Sequence, residues 1–206
     1  MLQVPYEKQI DPSACALACY TMVAKYFFPE ITTEGMKQIA DWQPGYVVWA
    51  FKFWKWIMDR EIKIEEYELI DYKLWAERGL EGLHKSVSDN EFNYYTKNAK
   101  DINIYPEQIK GVIGHRNFLH RQEKPTYEQL TKALAENKAC TVVLDSRTLQ
   151  GLSGFSLHQV LVLNANEDEV IMHDPLVGPA LKTSKARFIN AWLTAVSQPE
   201  LTIYSK

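Results

Sequence analysis

"SLHQVLVLNANEDEVIMHDP" occupies residues 156–175. Two apolar runs flank the polar turn "NEDE", so the stretch reads as two strands folded back on each other in an antiparallel hairpin. In a tight hairpin the start of one strand lies beside the end of the other. His158 is therefore expected beside Asp174. A carboxylate on one ring nitrogen fixes the imidazole tautomer and stabilises the imidazolium, leaving the other nitrogen free for proton transfer. His173 adjoins Asp174 but points to the opposite face of its strand, which makes it a weaker candidate. Taken singly, His158 could equally be a satisfied core histidine, and Asp174 an ordinary turn residue before Pro175.

Outward from the hairpin, residues 126–139 ("TYEQLTKALAENKA") form an amphipathic helix with Thr126 as N-cap and Gln129 at the capping-box position. Residues 140–146 ("CTVVLDS") read as a buried strand and 148–154 ("TLQGLSG") as a loop. Pro175, Gly178 and Pro179 mark a second loop. A short helix (185–195) and a last strand (200–205) follow. Toward the N-terminus, "QIDPSACALACYTMVAKYF" (9–27) becomes helical after Pro12, with Ser13 or Asp11 placed to cap it. A helix follows Thr33, capped by Thr32 or Thr33. Residues 46–60 ("YVVWAFKFWKWIMDR") are a helix whose Trp49, Phe53 and Trp56 repeat at helical spacing. Residues 62–70 alternate like a strand, and 71–83 return to helix. Residues 84–122 are polar and weakly periodic, and read as helix fragments and loops that could serve as a lid. The arrangement is α+β: an N-terminal helical lobe packed on a C-terminal, mostly antiparallel β-sheet.

Cys15 falls in the first turn of the first helix. Unpaired N–H groups and the positive end of the macrodipole favour a thiolate there, the form that attacks carbonyl carbon. Position alone leaves an inert core thiol equally open. Gln9 lies six residues earlier, across an extended Asp-Pro segment. Its carboxamide could join the Cys15 backbone N–H as an oxyanion donor. The ordered set is glutamine, cysteine, a histidine 143 residues on and a carboxylate 16 beyond that. It matches the Cys-to-His spacing of papain-type enzymes, about 130–150 residues.

On these residues the chain resembles the bacteriocin-processing (double-glycine) peptidase family of the papain-like clan. The likeness rests on "QIDPSACALACYTMVAKYF", "TYEQLTKALAENKACTVVLDS", "SLHQVLVLNANEDEVIMHDP" and "ARFINAW", and covers roughly residues 3–28 and 126–204. It implies one papain-like domain over 1–206, with an insertion at about 42–122. It implies Cys15 as nucleophile, His158 as general base, Asp174 as its orienter and Gln9 as the oxyanion-hole residue. Cys19 matches the family's second, structural cysteine. Where the family has Gly after the nucleophile, this chain has Ala16, which could narrow the approach to the thiolate. Ala14 stands where an acidic or polar residue is common.

The implied reaction is cleavage of a peptide or other amide bond through an acyl-enzyme on Cys15. An acyltransferase or transpeptidase using the same three residues, and an inactive peptide-binding module, are the alternatives. A zinc site on Cys15, Cys19, His158 and Asp174 lacks the usual Cys-x-x-Cys pairs. A disulfide at i, i+4 on a helix fits the required geometry poorly. Cys140 reads as core, and His84, His115 and His120 as solvent-facing. No cofactor or metal is implied, and a peptide or amide substrate is expected.

Across its 206 residues the chain carries a net charge of −3, which offers no basic footprint for nucleic acid. No apolar run reaches the roughly 18–20 residues of a membrane span. Without a signal-peptide pattern at "MLQVPYEKQI", and with only three cysteines, a reducing, cytoplasmic setting is expected. The aromatic helix and the insertion are a candidate surface for a protein partner.

Overall fold

The computed structural model describes all residues, 1–206. Its helices are α1 (Cys15–Phe27), α2 (Thr33–Ala40), α3 (Phe51–Met58), α4 (Tyr72–Arg78), α5 (Leu80–Ser86), α6 (Asp89–Asn98), α7 (Tyr105–Ile113), α8 (Tyr127–Ala135), α9 (Ser146–Gln150) and α10 (Lys185–Ile189). Its strands are β1 (Lys63–Tyr67), β2 (Phe118–Arg121), β3 (Ala139–Asp145), β4 (Leu157–Ala165), β5 (Glu169–Asp174), β6 (Gly178–Ser184) and β7 (Glu200–Ser205). The seven strands make one sheet in the order β2-β1-β7-β3-β4-β5-β6. Only the β1–β2 pair is parallel. No helix is long and apolar enough to cross a membrane.

Period-2 alternation sorts the strand residues between two cores. Ile64, Ala139, Leu161, Leu163 and Tyr204 face the larger core, with α1, α2 and α3. Cys140, Val142, Val160, Val162, Leu201 and Ile203 face the smaller one, closed by Leu130 and Ala133 of α8 and by Phe188 and Trp192. α1 is buried along nearly its whole length from Leu17 to Ala24, which suits its Ala-rich, small-residue sequence to close packing on β4. Thr32 caps α2 by accepting from the Gly35 N–H at 3.0 Å. The capping box on α8 forms as its sequence indicates, with both reciprocal bonds between Thr126 and Gln129.

Several elements differ from the sequence expectation. The aromatic helix α3 starts only at Phe51, because Val47 forms a bridge with Ala99 and holds the preceding chain extended. Its buried stripe is Phe51, Phe53, Trp54, Ile57 and Met58, while Trp49 and Trp56 are half-buried. Residues 42–122 supply two strands to the central sheet, and β2 was not legible in the polar "FLHR". "TLQGLSG" holds part of a helix: Asp145 accepts from the N–H groups of Arg147 and Thr148 and nucleates α9. β6 rises from the Gly-Pro segment read as loop. Pro179 tolerates this position because β6 lies at the sheet edge.

Candidate active site

The segment before α1 is tied to the hairpin end of the sheet. Leu2 N–H donates to Leu163 O at 2.9 Å and Gln9 N–H to Pro175 O at 3.0 Å. The Tyr6 hydroxyl donates to Asp174 O at 3.2 Å. Neither Ser13 nor Asp11 caps α1, contrary to expectation. Asp11 Oδ1 instead accepts from the Ser13 N–H at 2.8 Å and its hydroxyl at 2.6 Å, which fixes a turn. Ala14 is left as an N-cap with no side-chain bond. The open first turn bears directly on Cys15, its first helical residue: the Ala16 N–H is one of the groups that stabilise the Cys15 thiolate.

Four sequence-predicted residues come to this corner. His158, at the start of β4, is 5% exposed, and its Nε2–H donates to Asp174 Oδ1 at 2.8 Å. The same carboxylate oxygen accepts the N–H groups of Leu176 (2.8 Å) and Val177 (3.2 Å). Burial pushes the Asp174 carboxyl up, but the His158 bond and charge, with these two N–H groups, outweigh it and hold it below its ordinary value. Burial also works against a charged His158. Its hydrogen bonds to Asp174 and to Cys15 outweigh burial and push its pKa up to about 10. The half-buried Cys15 shows the mirror image. Desolvation raises its thiol, but the hydrogen bond and charge of His158 lower it, and the N–H groups of Gln159 and Ala16 add to the lowering, so that the net shift is downward. The net result is a thiol below its ordinary pKa beside an imidazole above its own, so each group favours the charged form of the other.

Gln9 reaches the same corner through its backbone. Its Nε2 donates one hydrogen to Asp11 O at 3.0 Å, and its Oε1 is buried without a donor. The remaining residues fall away from this constellation. Cys19 is fully buried, its thiol donates to Gln159 O at 3.4 Å, and burial holds its pKa well up. Cys140 is buried and likewise pushed up. His173 spends both ring nitrogens on structure: Nε2–H donates to Val4 O at 2.9 Å and Nδ1 accepts from Ala180 N–H at 3.1 Å. His120 is not solvent-facing as expected. It stacks on Tyr72 at 4.5 Å between ring centroids, and burial lowers its pKa. His115 is also part-buried, whereas His84 is exposed and pairs with Asp89. No group of three or more His, Cys, Asp or Glu side chains is disposed to hold a metal ion.

A cavity of about 110 Å³ opens beside Cys15 and His158. Ala16, Gln159, Trp49, Tyr95, Glu68 and Glu200 are among its walls. Gln159 was not foreseen. Its only signal was that it follows His158 on a strand already assigned to the site.

No family model matches the chain, and no curated protein matches it in sequence. Solved structures do. A protein of Bacillus anthracis described as a C39-like peptidase superposes with a TM-score of 0.55 at 12% identity, covering 99% of this chain and 95% of that one. A double-glycine-motif protease from an AMS/PCAT transporter, solved with a leader peptide, gives 0.50 at 11% identity, covering 98% of this chain and 91% of that one. Identity this low speaks for architecture alone. The chain has the papain-like α+β fold of C39, double-glycine peptidase domains, in which a helical lobe packs on a mostly antiparallel sheet. In this chain a cysteine, a histidine and an aspartate meet where that lobe and sheet join.

Proposed function

We propose that the protein is a cysteine peptidase-like hydrolase that cleaves a peptide or other amide bond through an acyl-enzyme on Cys15. The observation that carries this reading is the His158–Asp174 bond of 2.8 Å on a ring whose hydrogen bond and charge lower the Cys15 thiol. The Cys15 sulfur attacks the carbonyl carbon and the carbonyl π electrons pass to oxygen. The Cys15 N–H and the second Nε2 hydrogen of Gln9 donate to that oxyanion. Collapse expels the amine, which takes its proton from His158 and leaves a thioester. Water then gives a proton to His158, attacks the thioester carbon and releases the acid, restoring the thiolate beside the imidazolium. Asp174 keeps the ring oriented throughout and stabilises it whenever it is charged. Ala16 lines the cavity and its N–H stabilises the Cys15 thiolate, so the extra methyl does not deprive the thiolate of that donor. A peptide substrate agrees with the leader peptide held by the AMS/PCAT protease.

The test is competitive thiol labelling. Substoichiometric iodoacetamide at pH 7 should alkylate Cys15 well ahead of Cys19 and Cys140, read by peptide mass spectrometry. Equal and slow labelling of all three would overturn the reading.

A further inference from the structure

The cavity at Cys15 continues away from His158 along one row of the sheet. Gln159 pairs with Val143, and Val143 pairs with Glu200. The β1–β7 register ends with Tyr67 opposite Leu201, so Glu68 follows on beside Glu200. All four residues line the cavity. At a strand spacing of about 4.8 Å, Glu200 lies about 10 Å and Glu68 about 14 Å across the sheet from Gln159. Trp49, Trp54, Tyr72 and Tyr95 form aromatic walls along this route.

The far end is acidic and has no cation. Glu68 is 2% exposed; the Tyr72 hydroxyl donates to its Oε2, while its Oε1 has no donor. Glu200 takes only the Thr202 hydroxyl, at 3.1 Å on Oε1. Gln198 Oε1, on the same cavity, is buried with no donor. Behind them Glu66 is fully buried and neither of its oxygens is partnered. Its cross-strand neighbour Thr202 has already given its one hydroxyl hydrogen to Glu200. No lysine, arginine or histidine forms an ion pair with Glu66, Glu68 or Glu200. The mechanism above uses none of these groups.

Acceptors without donors are costly when buried. Gln198 Oε1 is one such acceptor. Glu68 Oε1 and Glu200 Oε2 also take no donor from the protein and line the same cavity. In their ionised form they suit a primary ammonium, which carries three donors and no acceptor. Aromatic faces attract the same charge, most strongly when it is desolvated. We propose that this cavity is a specificity pocket that receives a primary ammonium, such as a lysine-type side chain, carried on the acyl half of the substrate. The assignment rests on Cys15 being the nucleophile; what it adds is which substrates reach it.

N-acetylated lysyl and norleucyl chloromethyl ketones separate the two claims. Each forms a carbon–sulfur bond to Cys15 and loses chloride, and they differ only at the end of the side chain. The lysyl probe should alkylate Cys15 at least tenfold faster than the norleucyl probe. In a Glu68→Gln/Glu200→Gln double variant, which keeps the shape of two acids, that ratio should fall toward one. Equal rates in the native chain, or a ratio that survives in the double variant, would overturn the pocket. Fast iodoacetamide labelling of Cys15 without lysyl preference removes the pocket alone. Failure of all three reagents to favour Cys15 removes both the pocket and the proposed function.

Discussion

Burial opposes charge on both Cys15 and His158, and each favours the charged form of the other. The pair is charged above the lowered pKa of the thiol and below about pH 10, where His158 gives up its proton. Alkylation of native Cys15 by iodoacetamide should therefore persist to lower pH than that of Cys19 or Cys140. In His158→Gln the cation is lost, so the thiol pKa rises and the acid limb of the profile should move up toward that of a free cysteine, about 8.5. An unchanged profile would show that His158 does not set the state of the thiol. Asp174→Asn should reduce amide hydrolysis by roughly 100-fold or more, because a neutral amide neither holds the tautomer nor supports the imidazolium. These residues were legible from sequence because a hairpin and a helix start fix their positions with little help from the rest of the chain. The acids were not. In "KIEEYEL" the glutamates fall on both faces, so alternation alone cannot say that Glu66 and Glu68 point inward. Only the pairing of β1 with β7, remote in sequence, does so.

Among the elements, the α4–α5 corner is the least forgiving. A Cβ on Gly82 would stand 2.2 Å from the Leu74 carbonyl oxygen, a backbone atom that cannot swing aside. Gly82→Ala should cost about 2–3 kcal/mol in a urea titration. Gly111, inside α7, meets nothing within 4 Å, so Gly111→Ala should be neutral or stabilising by up to about 1 kcal/mol. Equal effects from the two would contradict the corner's geometry. Elements with local signals, such as the capped helices α2 and α8 and the β4–β5 hairpin, could be read in advance. β2 and β6 could not, since each is a polar segment made a strand by a neighbour: β2 by β1, and β6 by β5. The start of α3 lies later than periodicity indicates for the same reason, because a bridge from Val47 to Ala99 outweighs local helical periodicity.

For the molecule as a whole, the buried acids set a pH dependence opposite to the usual one. Desolvation raises Glu66, Glu68 and Glu200, the last to about 7, above the value of an unfolded glutamate near 4.3. The folded state thus binds protons more tightly. The stability this contributes is complete below about pH 4.3 and is lost as pH rises through about 7 for Glu200, and through the raised values of the other two. At about 1.4 kcal/mol per pH unit, Glu200 alone accounts for up to about 4 kcal/mol. Denaturation midpoints should fall between pH 5 and 8, and Glu66→Gln should be more stable than the native chain at pH 8; a midpoint that rises over this range would exclude neutral buried acids. The sheet order carries a further consequence, in time rather than space. β7, the last strand in sequence, sits between β1 and β3. On the ribosome the β1–β2 pair and the β3–β6 meander emerge first, with their inner edges open, and cannot join until β7 clears the exit tunnel. A chain halted at Pro199 should remain two unclosed half-sheets prone to association, and the release of six more strand residues is the step that closes the fold.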